Sequence, residues 1–338
     1  MTQIPILTLT LNPALDMATE VAELIPGDKL RCAEPILDPG GGGLNVSRAI
    51  RALGGDSLAL VALGGLTGDR LAGLIRAEGV TFLALLGPGE TRQSLTVTEA
   101  ATGRQFRFML PGPTWGAAER ARVFTLLGAT ARPGGFSVIS GSQPPGVPKD
   151  FPAQLAASMP DSRVVLDTSG PALAQAVAQP IPGLEVLRMD GEEAEGLAGR
   201  PLHGLEDTAG FARDLAARGV ARRIVVARGA EGNLVATGTA CLFAPAPKVR
   251  VRSTVGAGDS FVAAFVLALA RGQDDGQALS LGSAAAGAAV MTDATGLCRG
   301  EAVRGFPPYG GGRSGAPPAG GEKGAARRYP SRQRFTSG

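Results

Sequence analysis

The chain has 338 residues, of which 44% are hydrophobic and only 4% aromatic, with 50 glycines and a net charge of +3. This composition supplies a core for one large or two modest domains and too few aromatics for a base-stacking nucleic-acid platform. The positive charge is uneven: from Arg304 onward seven Lys or Arg face a single acid, a local +6 that leaves −3 on the preceding 303 residues.

The opening MTQIPILTLTLN has no basic leader region, and its run Ile4 to Leu11 predicts a strand. Lys29 to Leu37 (KLRCAEPIL) alternates polar and apolar residues and predicts a strand outside the main sheet. Asp38 to Gly55 then sets four glycines before a helical pattern, Leu44 to Leu53. Such glycines let a ligand approach the backbone closely or simply make a tight turn. The run is neither a Walker A loop nor G-x-G-x-x-G, which disfavours P-loop nucleotidases and Rossmann dehydrogenases. Further strands are expected at Ser57–Leu63, Val138–Ser140, Arg163–Leu166, Leu184–Leu187 and Ile224–Ala227. Helices are expected at Asp69–Glu78, Ala117–Leu127, Pro171–Ala178, Asp207–Ala217 and Val262–Arg271. The alternation predicts an α/β fold with a mostly parallel sheet covered by helices, its ligands at the carboxyl ends of the strands. Thr91 to Leu110 reads as an antiparallel hairpin turning at Ala101–Gly103, a lid or dimer-forming flap.

The single histidine, His203, lies in a loop-like segment, which leaves base chemistry to carboxylates. Near the carboxyl end, RSTVGAGDSF places Gly256, Ala257, Gly258 and Asp259 against an apolar helix. Asp259 either caps that helix or works as a base beside an anion held on bare backbone amides. Cys32, Cys241 and Cys298 form no C-x-x-C pair, and Phe261–Ala270 is too short to span a bilayer. The expectation is a cytoplasmic protein with no membrane and no nucleic-acid partner. From residue 305 to 338 the chain is basic, rich in Gly and Pro and aperiodic, and is expected to be disordered.

TLNPALD, KLRC, PGGGGLNVSRAI, TRQSL, RFMLPG, ISGSQPPG, LDTSGPAL and STVGAGDS occur in this order between about residues 4 and 304. In these segments the chain resembles the ribokinase/PfkB superfamily of sugar kinases, and within it the bacterial PfkB-type 6-phosphofructokinases. The resemblance implies a ribokinase-like domain over residues 1–304, with lid segments at about 13–37 and 90–111 that join two copies into a homodimer. It implies that the turn Gly256–Ala257–Gly258 receives the transferring phosphoryl group and that Asp259 takes the proton of a sugar hydroxyl. Asp16, Gly41, Gly42, Asn45 and Ser142 correspond to the sugar floor, while Lys29, Arg92 and Arg107 correspond to a clamp on the sugar's existing phosphate. Lys29 is implied to reach across the dimer. Gly229, Gly232, Arg188 and Asp190 correspond to the ATP site, Glu193 with Asp190 to the residues that organise Mg²⁺, and Ser253 and Val255 to a segment that binds a monovalent cation, potassium. Arg188, Asp190, Ala227 and Gly296 stand where the family has Lys, Asn, Ser and Arg, and Gly42 stands where the sister kinases have Lys. The implied reaction is ATP-dependent phosphorylation of fructose 6-phosphate at the 1-hydroxyl. The alternatives are a tagatose-6-phosphate kinase, a 1-phosphofructokinase, or a non-catalytic sensor of sugar phosphate or nucleotide.

Overall fold

The computed structural model describes residues 2–293 and 295–306, so the tail expected at 305–338 lies outside the described residues from 307 onward. β1 (Ile6–Thr10) leads into two strands of a smaller sheet, β2 (Ala14–Val21) and β3 (Ile36–Gly40), then into α1 (Gly42–Ala52), β4 (Leu58–Leu63), α2 (Gly65–Ala77) and β5 (Phe82–Leu86). A hairpin, β6 (Arg92–Glu99) and β7 (Gln105–Met109), returns to the smaller sheet. Strands and helices then alternate through α3 (Ala117–Thr130), β8 (Phe136–Ser140), α4 (Phe151–Ala157), β9 (Arg163–Asp167), α5 (Gly170–Ala178), β10 (Val186–Asp190), α6 (Gly191–Ala198), α7 (Gly204–Ala217) and β11 (Arg223–Ala227). The pair β12 (Gly232–Ala236) and β13 (Cys241–Pro245) precedes α8 (Ala257–Ala270), α9 (Asp275–Ala289) and α10 (Gly300–Arg304).

Among the described residues the large sheet has nine strands in the order β13-β12-β11-β10-β9-β8-β1-β4-β5. It is parallel from β11 to β5 and antiparallel at β12 and β13. Side chains alternate across each strand, and both faces are apolar. Ile6, Val138, Val165, Val186 and Val225 pack with residues of α1, α8 and α9 on one face. Leu7, Ile139, Leu166, Leu187 and Ile224 pack on the other with residues of α3, α4, α5 and α7. Each such buried Leu, Ile or Val stabilises the fold by about 1.5–3 kcal/mol. α8 is buried from Ser260 to Ala270, which explains why its sequence is apolar on every side. The chain runs outward from β1 through β4 to β5 and restarts at β8 on the other side of β1, so the switch point lies between β1 and β8. In such a sheet the ligand crevice is expected outside the carboxyl ends of the strands at this point.

The smaller sheet has the order β3-β2-β6-β7, with its two outer pairings antiparallel and the central β2·β6 pairing parallel. Its strands depart from the sequence expectation at β2, which no local pattern marks, and at β3. Of Lys29 to Leu37 only Ile36 and Leu37 are in a strand, because Pro35 lacks the N–H a ladder needs and β3 starts after it. The Thr91–Leu110 segment forms the β6–β7 hairpin, with Gly103 at φ 69° in its turn. Among the described residues no helix is long and apolar enough to cross a membrane.

Candidate active site

The carboxyl ends of β1, β8, β9 and β10 converge with the amino ends of α1 and α8. At the β1/β8 switch point the Gly cluster is required by contact. A Cβ on Gly42 would lie 2.4 Å from Ser140 Oγ and 2.7 Å from the Gly141 nitrogen, and one on Gly43 would lie 2.5 Å from the Leu9 carbonyl oxygen. Gly41, at φ 121°, occupies a backbone region closed to L side chains. Beside this floor Asp16 on β2 is half-buried, and that burial raises its pKa against the pull of Ser94, Arg92 and Arg48.

α8 begins at Gly256 (φ 74°) with no side-chain cap, which leaves its positive end facing the crevice. Asp259, in the first turn, does not cap it. Its Oδ2 instead accepts a hydrogen bond from Asn45 Nδ2 at 2.9 Å. Burial, then Asp167, push the Asp259 carboxyl up to about 6, while the Asn45 hydrogen bond and Arg188 pull it down and Asp16 adds to the rise. A carboxylate poised there is ionised near neutrality yet basic enough to accept a proton.

Arg188, the third of the five residues of β10, lies among these groups. Its Nη1 donates to Asp167 Oδ1 at 3.3 Å, and a Cβ on Gly258 would lie 2.9 Å from its Nη2. Burial opposes the guanidinium charge, and Asp167, Glu193, Asp259 and Asp190 more than offset it. Asp167, whose Oδ2 also accepts from Ser140 Oγ at 2.8 Å, is not among the sequence candidates. A signal for it exists, since it is the first polar residue after the VVL run of β9 and ends that strand at the crevice.

Asp190 and Glu193 open α6 as a reciprocal capping box: Glu193 N donates to Asp190 Oδ1 at 2.9 Å, and Asp190 N donates to Glu193 Oε2 at 2.8 Å. An Asn would make the same cap, so the fold tolerates Asp190 in the family's Asn position. Burial raises the Glu193 pKa. Among the described residues no cluster of three or more His, Cys, Asp or Glu forms an all-protein metal site. Two carboxylates at the edge of a crevice suit Mg²⁺ that arrives on nucleotide phosphates with part of its water shell, a hard cation on oxygen donors.

The remaining candidates are more dispersed. Arg92 donates Nε to the Asn12 carbonyl at 3.2 Å, and the register sets Arg92 opposite Ala14, Ser94 opposite Asp16, and Arg107 opposite Thr96. Cross-strand partners share a face, so Arg92, Asp16 and Arg107 lie on one face of the lid sheet, Arg107 being exposed. Lys29 is exposed on the connection between β2 and β3. Ser142 is exposed and its Oγ accepts from Asn12 Nδ2 at 3.1 Å. Gly229 (φ 56°) follows β11 at the same sheet edge. Gly232 has a fold reason of its own, since at φ 136° a Cβ would lie 2.2 Å from the Ala244 carbonyl oxygen. Ser253 is buried and its Oγ accepts from Val255 N at 3.2 Å. His203 is exposed at the start of α7, away from this constellation.

An α/β sheet with a small lid, a bare helix end that can hold an anion and a raised-pKa carboxylate that can take a proton from a hydroxyl has the parts that phosphoryl transfer uses. The model of the pfkB family carbohydrate kinases matches residues 1–301, and the chain belongs to that family. It is a sugar-phosphate kinase of the phosphofructokinase type. It is 39% identical over 304 residues to an ATP-dependent 6-phosphofructokinase isozyme 2 of Mycobacterium tuberculosis, covering 89% of this chain and 88% of that protein. It is 35% identical over 266 residues to a 1-phosphofructokinase of Xanthomonas campestris, covering 78% and 83%. Crystal structures of Escherichia coli phosphofructokinase-2, one in complex with fructose-6-phosphate and one in complex with potassium, superpose with TM-scores of 0.83 and 0.84. Each is 36% identical and covers 89% of this chain and 97% of the other.

Proposed function

We propose that the chain transfers the γ-phosphoryl group of ATP to the free primary hydroxyl of a fructose monophosphate, giving fructose 1,6-bisphosphate and ADP. The observation that carries this reading is Asp259, raised to about 6 at the uncapped end of α8 and opposite the glycine floor of α1. Asp259 accepts the hydroxyl proton as the oxygen attacks, and the amides of Gly256, Ala257 and Gly258 hold the moving charge with Arg188 alongside. Asp16 and Asn45 orient the sugar over the Gly41–Gly42 floor, with Ser142 at its rim. Arg92 and Arg107, assisted by Lys29, hold the phosphate already on the sugar, where a guanidinium fork matches a phosphate dianion. Gly229 and Arg188 lie under the nucleotide phosphates. Asp190 and Glu193 would hold Mg²⁺, which neutralises phosphate charge when bound, and Ser253 and Val255 would border a potassium ion.

Two acceptors lead to the same bisphosphate: fructose 6-phosphate, the main expectation from the sequence, and fructose 1-phosphate, the acceptor of the 1-phosphofructokinase alternative, and relatives of both kinds support the pair. Fructose 6-phosphate is supported by the Mycobacterium relative and by the absence of space for a side chain at Gly42. Fructose 1-phosphate is supported by the relatives named 1-phosphofructokinase. Ile36, Phe108, Met109 and Leu110 are exposed on the lid and support a homodimer formed through it. ADP release measured against fructose 6-phosphate, fructose 1-phosphate, tagatose 6-phosphate and free fructose tests the proposal. A sugar phosphate is expected to exceed free fructose at least about 100-fold in kcat/KM, the scale of a lost charge-assisted clamp; equal rates with free fructose would overturn the reading.

A further inference from the structure

The hydrogen bond on Asp259 continues away from the crevice along α1. Arg48 lies one turn beyond Asn45 on the same helix face. Its Nη1 donates to Asn45 Oδ1 at 3.1 Å and to the Pro39 carbonyl at 2.7 Å. Its Nε and Nη2 fork onto the two carboxylate oxygens of Glu78, each at 2.6 Å. The Arg48 side chain is 9% exposed and that of Glu78 35%, so the guanidinium is enclosed while its anchor is reachable by water. Asp38, at 3.7 Å, is a further anion beside it.

A primary amide has an accepting end and a donating end. A cation on Asn45 Oδ1 leaves Nδ2 as the end that faces Asp259, and Nδ2 is the atom within 2.9 Å of Asp259 Oδ2. Turned over, the amide would set its oxygen against a carboxylate and its N–H groups against a guanidinium, which is unfavourable at both ends. The same guanidinium grips Pro39, in the lid strand that runs into Gly40 and Gly41. We propose that Arg48, fixed by Glu78, is a positioning residue that orients the Asn45 amide toward Asp259 and couples the catalytic carboxylate to lid strand β3.

The inference rests on the reading of Asp259 as the base. Asp259 is faced by Asn45 from α1, Asp16 from β2, Asp167 from β9 and Arg188 from β10. Of these, Asn45 and Arg188 favour the ionised form. Loss of the Asn45 hydrogen bond therefore moves the acidic limb of the kcat/KM profile upward, by roughly one pH unit for one charge-assisted bond.

The test is a double-mutant cycle of Arg48→Met and Asn45→Ala on the full chain, with pH profiles and circular dichroism of each variant. Arg48→Met is expected to lower kcat about tenfold at pH 5, below the limb, and only about twofold at pH 7 as the limb shifts upward, while the KM for ATP changes less than about twofold. In the Asn45→Ala background the same change is expected to cost less than about twofold in kcat at about pH 5. Equal losses in both backgrounds, or an unmoved limb, would overturn the inference. Glu78→Gln, at a partly exposed position, provides the same readout should Arg48→Met not fold, with a smaller shift in the same direction expected and an unmoved limb again contradicting the proposal. Failure of the base reading is separately visible: Asp259→Asn would then keep its turnover, whereas an additive cycle with an inactive Asp259→Asn would remove only the role of Arg48.

Discussion

Replacing Asp259 by Asn separates what the fold prefers from what the chemistry requires. The Asp259 pKa is raised from 3.8 to about 6 in the folded chain, so the native state binds this proton more tightly than the unfolded one does. Ionisation of Asp259 therefore destabilises the native state. The cost is absent below pH 3.8, grows as pH rises toward 6 and is fully present above it. A shift of about two units corresponds to about 3 kcal/mol. The amide introduced by the substitution carries no charge, and its carbonyl can still accept from Asn45 Nδ2 as a weaker neutral bond. At pH 8 the variant is thus expected to exceed the parent in stability by about 1–3 kcal/mol, after allowing about 1 kcal/mol for the weakened bond. Turnover is expected to fall about 10²- to 10⁴-fold, because no proton acceptor remains. Urea denaturation at pH 8 and at pH 4.5, with initial rates at pH 8, measures both effects. A variant less stable than its parent at pH 8, or a stability gap that does not narrow toward pH 4.5, would refute the assignment of a buried, destabilising charge to this position.

Arg92→Ala removes a guanidinium that lies beside Asp16 and bonds the Asn12 carbonyl; the KM for the sugar phosphate is expected to rise about 10- to 100-fold with the KM for ATP nearly unchanged, read from initial-rate kinetics. Gly42→Ala forces a Cβ to within 2.4 Å of Ser140 Oγ and 2.7 Å of the Gly141 nitrogen. Denaturation curves are expected to show a loss of about 1–3 kcal/mol from this overpacking. Asp190→Asn keeps the cap of α6 and is expected to hold stability within about 0.5 kcal/mol while lowering the Mg²⁺ concentration for half-maximal rate; Asp190→Ala is expected to lose about 1 kcal/mol with the cap.

Local pattern locates much of this fold, and long-range pairing supplies what pattern cannot. Strands β1, β4, β8, β9 and β11 and helices α1, α3, α5 and α7 fall within a few residues of their expected bounds, because buried apolar runs alternate with helical periodicity there. β2 is not evident from its residues: ALDMATEV mixes charge and alanine, and its strand character comes from pairing with β3 on one side and β6 on the other. α9 escapes pattern reading because DGQALSLGSAAAGAA carries three glycines, although its small residues are what allow close packing beside α8. The strand expected at Leu184–Leu187 begins two residues later and continues to Asp190, which takes Arg188 into the strand and sets Asp190 at its carboxyl end. In the site, the Gly cluster and Asp259 are legible as motifs. The bonds joining them are not, because Asn45 and Asp259 are 214 residues apart and no spacing rule connects α1 to α8.

The most direct test of the central claim is the position of the new phosphate in the product. The purified chain is incubated with MgATP and, in separate reactions, with fructose 6-phosphate and fructose 1-phosphate, and the sugar products are examined by phosphorus NMR. At least one reaction is expected to yield fructose 1,6-bisphosphate in a one-to-one ratio with ADP, and the Asp259→Asn protein to yield almost none. ADP released without bisphosphate, or bisphosphate formed equally fast by the Asp259→Asn protein, would contradict the phosphoryl-transfer role given to this site.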